Sequence, residues 1–400
     1  MEGSTMKITR IDCHILLDPD YNPAATSSAQ DDLVVEVHTD EGIVGIGETD
    51  LNPWIARECI EAPGTHTMDQ GLGSVYLGLD PLDPPKAWWT AYQATAMTGR
   101  RGALVNAMGA IDMALWDIAG KAADAPTWTL LGERSRDHLG AYASLQPEVS
   151  NFDDYLSSML QWAKSAKDMG FLAAKLETTF SGPYANMGLH EKDERMTEVI
   201  AAVRSQVGPD FILMVDVQYA FDSVDRARRV LETWIDLDIF FVETPLWTDD
   251  LDDYRALAES IPIRIAAGEW LSTHYEFEDL VHRGHVAVLQ PDIGRVGGLT
   301  EAVKVTRLAA ETGKLVVPHL WKTGISVAAA AHLATVTPHM PFFEFLPPPL
   351  CESRLRKELV VDEVTLSEGR VSIPERPGLG VELNRDSLEL FKEAARRVRP

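Results

Sequence analysis

The chain contains few cysteines for its 400 residues, and far fewer basic than acidic side chains. Cys13, Cys59 and Cys351 are widely separated and form neither a disulfide nor a metal-ligand pattern, which favours a reducing cytoplasm. The 36 Lys and Arg against 61 Asp and Glu give a net charge of −25, so no basic stripe is available for nucleic acid. An anionic small molecule is still compatible with this charge, because a bound cation can dominate the field of a site.

Long apolar runs are also missing. No uninterrupted run approaches the ~20 residues of a membrane helix, so we expect no membrane partner. The most apolar helical segment, SVAAAAHLATV, is interrupted by His332 and is predicted to be buried. The first residues, MEGSTMK, contain no apolar signal region, and Met6 is a second candidate for the natural first residue, so the origin of residues 1–5 stays open.

The chain divides into three regions by pattern, and its 45% hydrophobic residues can bury a large core. Residues 6–130 are predicted to form an α+β domain, with strands joined by a DEG turn and a helix over 106–122. Residues 138–348 alternate strand-like and helix-like segments. Residues 349–400 return to strand-and-turn patterns, and we expect this tail to pack on the first domain.

The middle region contains eight short apolar runs, with helical patterns in most of the gaps between them. Several of these helical patterns end in Gly, as helices often do. This alternation predicts an α/β fold built on a parallel barrel. The eight runs are LGAYASL, FLAAKLE, FILMVDV, IFFVETP, RIAAGE, VAVLQPD, LVVPH and FFEF.

Three carboxylates follow three successive runs at nearly equal intervals. Asp216, Glu243 and Glu269 lie 27 and 26 residues apart, close to the roughly 31 residues that a barrel spends on each strand and helix. They are therefore predicted at neighbouring strand ends on the face where barrel active sites lie. Two carboxylates ~4 Å apart repel by about 4 kcal/mol, so a converging triplet indicates a cation, and oxygen ligands favour Mg²⁺. The alternative is that each acid is a solvated loop residue.

A histidine and an aspartate show the same spacing further along the chain. Asp292 and His319 end the sixth and seventh runs and lie 27 residues apart. At neighbouring strand ends, Asp292 could accept a hydrogen bond from one imidazole nitrogen and leave the other as a general base. The alternative is a purely structural His–Asp pair.

Four further polar residues are placed at strand ends on the same face. Alternation puts Lys175 and Glu177 on one side of the second strand, where Lys175 could stabilise an oxyanion, exchange a proton, or simply pair with carboxylates. Glu344 ends the eighth strand as either a protonated hydrogen-bond donor or a solvated acid. Gln218 faces the same side as Asp216. Trp270 and Trp321 flank these residues and are predicted to shape the pocket, as is Lys322.

Taken together, these motifs resemble the enolase superfamily, and within it the mandelate racemase subgroup, over nearly the whole chain. The resemblance implies a modified TIM (β/α)7β barrel under a capping domain formed by both termini. It implies Mg²⁺ on the three carboxylates, His319 and Asp292 as the base dyad, and Glu344 as a substrate-facing acid. Cap loops around Tyr21–Gln30 and Asp50–Trp54 would close over the site, and a homo-oligomer is expected. The motifs are VDVQ, VETPL, AAGEW, QPDIGRVGG, PHLWKTGIS, FFEF, DEGIVGIGET and PGLGVEL.

One departure from the subgroup pattern bears on the reaction. Racemases of this subgroup carry Lys-x-Lys at the end of the second strand, whereas this chain has Lys175 and Glu177. Loss of the second lysine disfavours racemisation, while β-elimination of water needs only one base. The resemblance therefore implies a Mg²⁺-dependent dehydratase that converts an aldonate or aldarate into a 2-keto-3-deoxy acid. The alternatives are a cycloisomerase or lactonising enzyme, an epimerase or racemase, and a non-catalytic sugar-acid-binding protein.

Overall fold

The computed structural model describes residues 6–399. The question of residues 1–5 lies outside this part of the chain. Two packed units make up the fold: a cap that begins with an antiparallel sheet, and a parallel barrel.

The cap begins with three antiparallel strands in the order β1–β2–β3. The DEG turn between β2 and β3 places Gly42 at φ 79°, as the sequence pattern predicts. Gly45 and Gly47 of β3 let the longest cap helix lie directly on the sheet, because a Cβ at either would come within 2.1 Å of a helix carbonyl. The cap elements are β1 (Ile8–Leu17), β2 (Asp31–Thr39), β3 (Val44–Thr49), α1 (Pro53–Glu61), α2 (Leu72–Tyr76), α3 (Pro84–Ala94), α4 (Ala103–Ala122) and α5 (Trp128–Leu131).

Eight parallel strands form the barrel, and each coincides with one of the eight predicted runs. The first seven strands pair in chain order, and the eighth pairs with the first. The strands are β4 (Leu139–Leu145), β5 (Ala173–Glu177), β6 (Ile212–Asp216), β7 (Ile239–Glu243), β8 (Ile265–Ala267), β9 (Val288–Leu289), β10 (Leu315–Val316) and β11 (Phe343–Phe345).

Helices fill every gap between successive barrel strands, which gives the (β/α)7β arrangement. The predicted buried helix around His332 is confirmed, since nearly all of that helix is buried. No helix among residues 6–399 combines the length and apolarity needed to cross a bilayer. The barrel helices are α6 (Phe152–Asp168), α7 (Glu194–Val207), α8 (Val224–Glu232), α9 (Leu251–Ser260), α10 (Thr273–His282), α11 (Ile293–Val296), α12 (Leu299–Thr312) and α13 (Gly324–Val336).

The strand register aligns acidic residues along one end of the barrel. Glu177, Asp216 and Glu243 are the last residues of β5, β6 and β7. Glu177 is the register partner of Asp216, and Asp216 that of Glu243. Three consecutive strands therefore end in adjacent carboxylates on what we call the rim, the carboxyl end of the barrel strands.

The C-terminal tail contacts both units. Its strand β14 pairs with β4 of the barrel, whereas its last helix packs on β1 of the cap. Arg385 of this helix forms an ion pair with Glu36 of β2 at 2.7 Å. The helix was not predicted. The tail elements are α14 (Arg354–Glu358), β12 (Val360–Val361), β13 (Leu366–Ser367), β14 (Arg370–Val371), β15 (Glu382–Leu383) and α15 (Arg385–Val398).

A buried contact between α4 and α12 holds the cap on the barrel. Asp112 of α4 is fully buried and accepts hydrogen bonds from the backbone N–H of Thr300 at 2.9 Å and from its hydroxyl at 2.6 Å. A cap residue thereby satisfies the N-terminus of a barrel helix. Gly298, which precedes α12, has φ 89°, and a Cβ there would lie 2.3 Å from the Asp112 carboxylate.

We expect Gly298→Ala to lower the free energy of unfolding by about 3 kcal/mol or more, because it adds backbone strain to a clash with Asp112. Gly313→Ala, at the other end of α12, is the matched control. It also has positive φ but open space around it, and should cost only about 1 kcal/mol. Chemical denaturation followed by circular dichroism measures both, and equal losses would contradict the proposed role of this contact.

Candidate active site

Buried carboxylates dominate the rim. Asp216 and Glu269 are 5% exposed and Glu243 is fully buried. Asp216 Oδ1 accepts hydrogen bonds from the Gln218 N–H at 2.9 Å and the Thr244 hydroxyl at 3.2 Å. One oxygen of Glu243, Oε1, is buried without a hydrogen-bond partner. The structure thus brings together the three acids that the sequence spacing singled out.

Burial raises the pKa of each of these acids. The pKa of Asp216 rises to about 6 and that of Glu243 to about 7, and the nearby Lys175 ammonium only partly offsets these shifts. Burial likewise raises the pKa of Glu269, against the opposing charge of His319. These raised pKa values mean that the cations of the chain alone do not fully stabilise the ionised forms of the three acids.

Lys175 lies in the middle of the carboxylates. Its Nζ is 2.9 Å from Glu243 Oε2, 2.8 Å from Glu344 Oε1 and 3.8 Å from Asp216 Oδ2. Burial disfavours the ammonium, but the charges of Glu243 and Glu344 more than compensate and raise the pKa of Lys175 well above its ordinary value. Of the sequence alternatives for Lys175, the structure therefore shows pairing with the rim carboxylates.

Glu177 and Glu344 have opposite charge environments. Burial and the adjacent Asp216 raise the pKa of Glu177, whose Oε2 accepts a hydrogen bond from the Gln218 amide at 2.9 Å. Burial of Glu344 would raise its pKa, but Lys175 and His319 lower it, and its Oε2 accepts from the backbone N–H of Leu320 at 2.7 Å. In this structure Glu344 contacts the Leu320 backbone and the Lys175 ammonium, and its role as a substrate-facing acid stays a prediction.

The predicted His–Asp pair is present. His319 Nδ1 lies 2.7 Å from Asp292 Oδ2, and Asp292 Oδ1 accepts from the backbone N–H of Gly294 at 2.7 Å. His319 Nε2 faces the carboxylates, 3.3 Å from Glu269 Oε2. Burial lowers the pKa of His319, but the hydrogen bond to Asp292 and the charge of Glu269 reverse this and raise it to about 9. Asp292 thus orients the ring so that Nε2 points toward the metal-ligand candidates.

A second charged cluster, which we call the Asp50 cluster, joins the cap to the rim and consists of Asp50, Arg295 and Lys322. Asp50 Oδ2 is 2.5 Å from Arg295 Nη2, and Oδ1 is 3.1 Å from Lys322 Nζ. One ligand atom each of Asp50, Asp292 and His319 lie within 4.8 Å of one another, which would allow a metal ion. Arg295 and Lys322 already pair with Asp50, so two cations of the chain would compete with a metal ion at this trio.

Lys322 also fastens the first cap loop, residues 18–30, to the barrel. Its Nζ donates to the carbonyl oxygens of Ser28 at 2.5 Å and Asp31 at 2.7 Å. The neighbouring Trp321 donates from Nε1 to the Ser27 hydroxyl at 2.9 Å. Trp321 and Lys322, which lie shortly after His319 in the chain, therefore hold the loop over the rim.

The remaining predicted pocket residues lie around a cavity of about 530 Å³ under the cap loops. Tyr21 and Trp270 line this cavity, and Trp270 stacks on Tyr219 with ring centroids 4.2 Å apart. Trp321 lies under the loop, and Gln218 lies deeper, between Asp216 and Glu177.

Two residues near the site were missed by the sequence reasoning. Tyr219 donates its hydroxyl to Glu269 Oε1 at 2.8 Å, and Arg295 joins Asp50 to the rim. Arg295 stands three residues after Asp292. If a turn of helix had been predicted after this strand, the spacing would have placed Arg295 on the same side as Asp292. Tyr219 likewise stands three residues after Asp216, but no helix follows that strand until Val224, so the spacing gave no signal.

Comparison with known proteins places this capped barrel in an established class of enzymes. Residues 8–132 match the family described as mandelate racemase / muconate lactonizing enzyme, N-terminal domain, and residues 158–387 match the family described as enolase C-terminal domain-like. The chain belongs to the enolase superfamily, in its mandelate racemase subgroup. Members of this superfamily use Mg²⁺.

Individual relatives cover almost the whole chain. It is 33% identical to D-galactarolactone cycloisomerase of Agrobacterium fabrum, over 97% of this chain and 99% of that protein. It is 34% identical to L-rhamnonate dehydratase of Saccharopolyspora erythraea, over 88% of this chain and 83% of that protein. The crystal structure of 3,6-anhydro-D-galactonate cycloisomerase from Zobellia galactanivorans superposes with a TM-score of 0.83 at 28% identity, covering 96% of this chain and 99% of that one.

We expect Lys322→Met to release the first cap loop, because it removes the donor to Ser28 and Asp31. Amide hydrogen exchange of residues 22–31 should become roughly tenfold faster. Lys121→Met is the matched control, since Lys121 also pairs with an acid and a carbonyl oxygen but on the far side of the cap. Unchanged exchange in Lys322→Met, or equal acceleration in both variants, would show that Lys322 does not hold the loop.

Proposed function

We propose that the chain is a Mg²⁺-dependent sugar-acid dehydratase. It removes the proton α to the carboxylate of an aldonate or aldarate and eliminates water from the β position, which gives a 2-keto-3-deoxy acid. The observation that carries this proposal is the His319–Asp292 dyad, whose Nε2 faces the buried rim acids at 3.3 Å from Glu269. A base and a cation-binding cluster within one site are what α-proton abstraction from a carboxylate needs.

Asp216, Glu243 and Glu269 fit a magnesium ion. All three are buried, all offer oxygen ligands, and Glu243 Oε1 has no hydrogen-bond partner in the described chain. Their raised pKa values support this assignment, because a cation bound beside the three acids would favour their ionised forms. When bound there, Mg²⁺ would supply stabilisation for the negative charge that develops on the substrate carboxylate. We prefer these residues to the Asp50, Asp292 and His319 trio, in which Asp50 is already neutralised.

The arrangement of bases favours elimination over racemisation. His319 can take the α-proton and then return it to the departing 3-hydroxyl group, so one base completes the reaction. On the opposite side of the barrel, Lys175 is held by Glu243 and Glu344, and Glu177 occupies the position of a second lysine. We assign Lys175 to stabilising the negative charge that develops at the substrate carboxylate. Glu344, which the sequence resemblance makes a substrate-facing acid, is assigned to holding the Lys175 ammonium in position.

Five residues are proposed to contact the substrate. Gln218 and Glu177 form a hydrogen-bonded pair beside Asp216, where they can reach a hydroxyl group near the reacting carbons. Tyr21, Trp270 and Trp321 offer aromatic surfaces around the cavity for the remainder of the molecule. Assembly as a homo-oligomer and a cytoplasmic location stay predictions from sequence.

Cycloisomerisation of a sugar-acid lactone is the second candidate function. It is favoured by the similarity to D-galactarolactone cycloisomerase and 3,6-anhydro-D-galactonate cycloisomerase. Both candidates begin with removal of an α-proton, so the same dyad serves either. They differ in mass balance, since dehydration loses water from the substrate and cycloisomerisation loses nothing.

The deciding experiment is a screen of the Mg²⁺-loaded protein against aldonates, aldarates and their lactones, read by mass spectrometry and by 2-keto acid formation. A 2-keto product lighter by one water supports the dehydratase. A 2-keto product of unchanged mass supports the cycloisomerase. An epimer of unchanged mass with α-deuterium exchange in D₂O, and no 2-keto acid, supports an epimerase. Binding without turnover or exchange would mean a non-catalytic sugar-acid-binding protein.

His319→Asn should reduce kcat by about 10²- to 10⁴-fold on the substrate found in the screen, because it removes the general base. Asp292→Asn should reduce kcat less, since the base remains but is no longer oriented. His282→Asn, at an exposed position on α10, is the control and should retain full activity. Steady-state kinetics measure all three, and a fully active His319→Asn would remove the base assignment.

Glu243→Gln should weaken Mg²⁺ binding at least about tenfold, because a neutral amide replaces one charged ligand. Isothermal titration calorimetry with MgCl₂ measures the affinity independently of turnover. Glu278→Gln, which removes the same charge from an exposed position, should leave the affinity unchanged. An unaltered dissociation constant in Glu243→Gln would exclude Glu243 from the ligand set.

A further inference from the structure

The cavity under the cap loops lies next to the proposed catalytic dyad, with Asp50 between them. It has a volume of about 530 Å³, and Asp50, Trp270 and Arg295 line it. Asp50 lies within 4.8 Å of both His319 and Asp292, ligand atom to ligand atom. A volume of this size is typical of small-molecule sites. A substrate with its α-carbon at His319 would therefore extend its far end into this cavity.

The charges around the cavity are balanced. Asp31 and Asp50 are the carboxylates that line it, and Arg295 is the one cation among its lining residues in the described chain. Arg295 is already paired with Asp50 at 2.5 Å. Lys322, buried behind the wall, lies 3.1 Å from Asp31 and 3.1 Å from Asp50. Each acid thus has its cation, and no positive charge is left to receive an anionic group.

Neutral groups make up much of the remaining wall. Tyr21, Trp54 and Trp270 contribute aromatic surface, which suits the C–H faces of a polyol chain. The Asn52 side-chain oxygen caps α1 by accepting from the Ile55 N–H. The Asn52 amide nitrogen keeps its donors for another partner, which a sugar hydroxyl can supply.

We infer that the substrate carries a single carboxylate and that its far end is uncharged. It is then an aldonate or a sugar-acid lactone, and not an aldarate with a carboxylate at each end. A second carboxylate in the cavity would lose its water next to Asp31 and Asp50 without gaining a free cation. This inference rests on the proposed function and narrows its substrate class.

The test compares aldonates with the aldarates that differ from them only by oxidation of the terminal carbon. We expect the best aldonate or lactone to exceed its matched aldarate at least about 100-fold in kcat/KM with Mg²⁺ present. An aldarate turned over as well as its matched aldonate would overturn the inference while leaving the proposed reaction intact.

A variant tests whether the charge of the wall causes this preference. Asp31→Asn removes one negative charge from the cavity and leaves Lys322 with one fewer partner. It should therefore reduce the ratio of kcat/KM for the aldonate to kcat/KM for the matched aldarate about tenfold. Asp20→Asn is the control, because it removes the same charge from an exposed position of the same loop, where the Asp20 side chain is 84% exposed. If both variants change this ratio equally, or if Asp31→Asn leaves it unchanged, the charge of the cavity wall does not cause the preference.

Ligand binding separates failure of this inference from failure of the proposed function. Thermal unfolding of the Mg²⁺-loaded protein is measured with each aldonate, lactone and aldarate at the same concentration. If no sugar acid is turned over but uncharged-ended acids alone raise the Tm, the proposed reaction fails and the inference stands. If aldarates raise the Tm as much, the inference fails whatever the reaction is.

Discussion

Mutual repulsion among buried carboxylates is the constraint around which this molecule is organised. Parallel pairing in register places Glu177, Asp216 and Glu243 side by side on consecutive strands, and Glu269 follows on the next. Such a row is unfavourable unless cations are built in beside it. Lys175 from below and His319 from across the barrel supply part of that charge. This excess of negative charge disfavours the folded state. It also makes the rim suited to bind a divalent cation, and an anionic substrate beside that cation.

The barrel and its polar rim were predictable because a parallel barrel imposes a period on the sequence. Every strand must end at the same rim, so acids at intervals of 26 and 27 residues were expected to meet, and the structure brings Asp216, Glu243 and Glu269 together. The Asp50 cluster has no such period. Asp50 and Arg295 are 245 residues apart and pair only because the cap sits on the barrel, which no local pattern encodes. Likewise, the ionisation of Glu344 depends on Lys175, a partner on another strand.

The cap contributes charge to the site as well as a lid over it. Asp50 meets Arg295 and Lys322, and Lys322 also holds the loop that carries Tyr21. Because these contacts are buried, moving the loop would expose paired charges together and not one at a time. The position of the loop and the charges around the dyad are therefore linked. A substitution in the cap could change the reaction rate without altering a residue that contacts the reacting atoms.

The packing of α15 on β1 has a consequence for how the protein forms in a cell. β1 is synthesised before the barrel, and the helix that covers it is synthesised after the barrel. Contacts between such distant parts of a chain slow folding, and an uncovered sheet face is exposed until they form. The cap cannot be completed until α15 has been made. Ribosome-bound intermediates of this protein would thus carry a finished part of the barrel beneath an open cap sheet, the species that a chaperone would recognise.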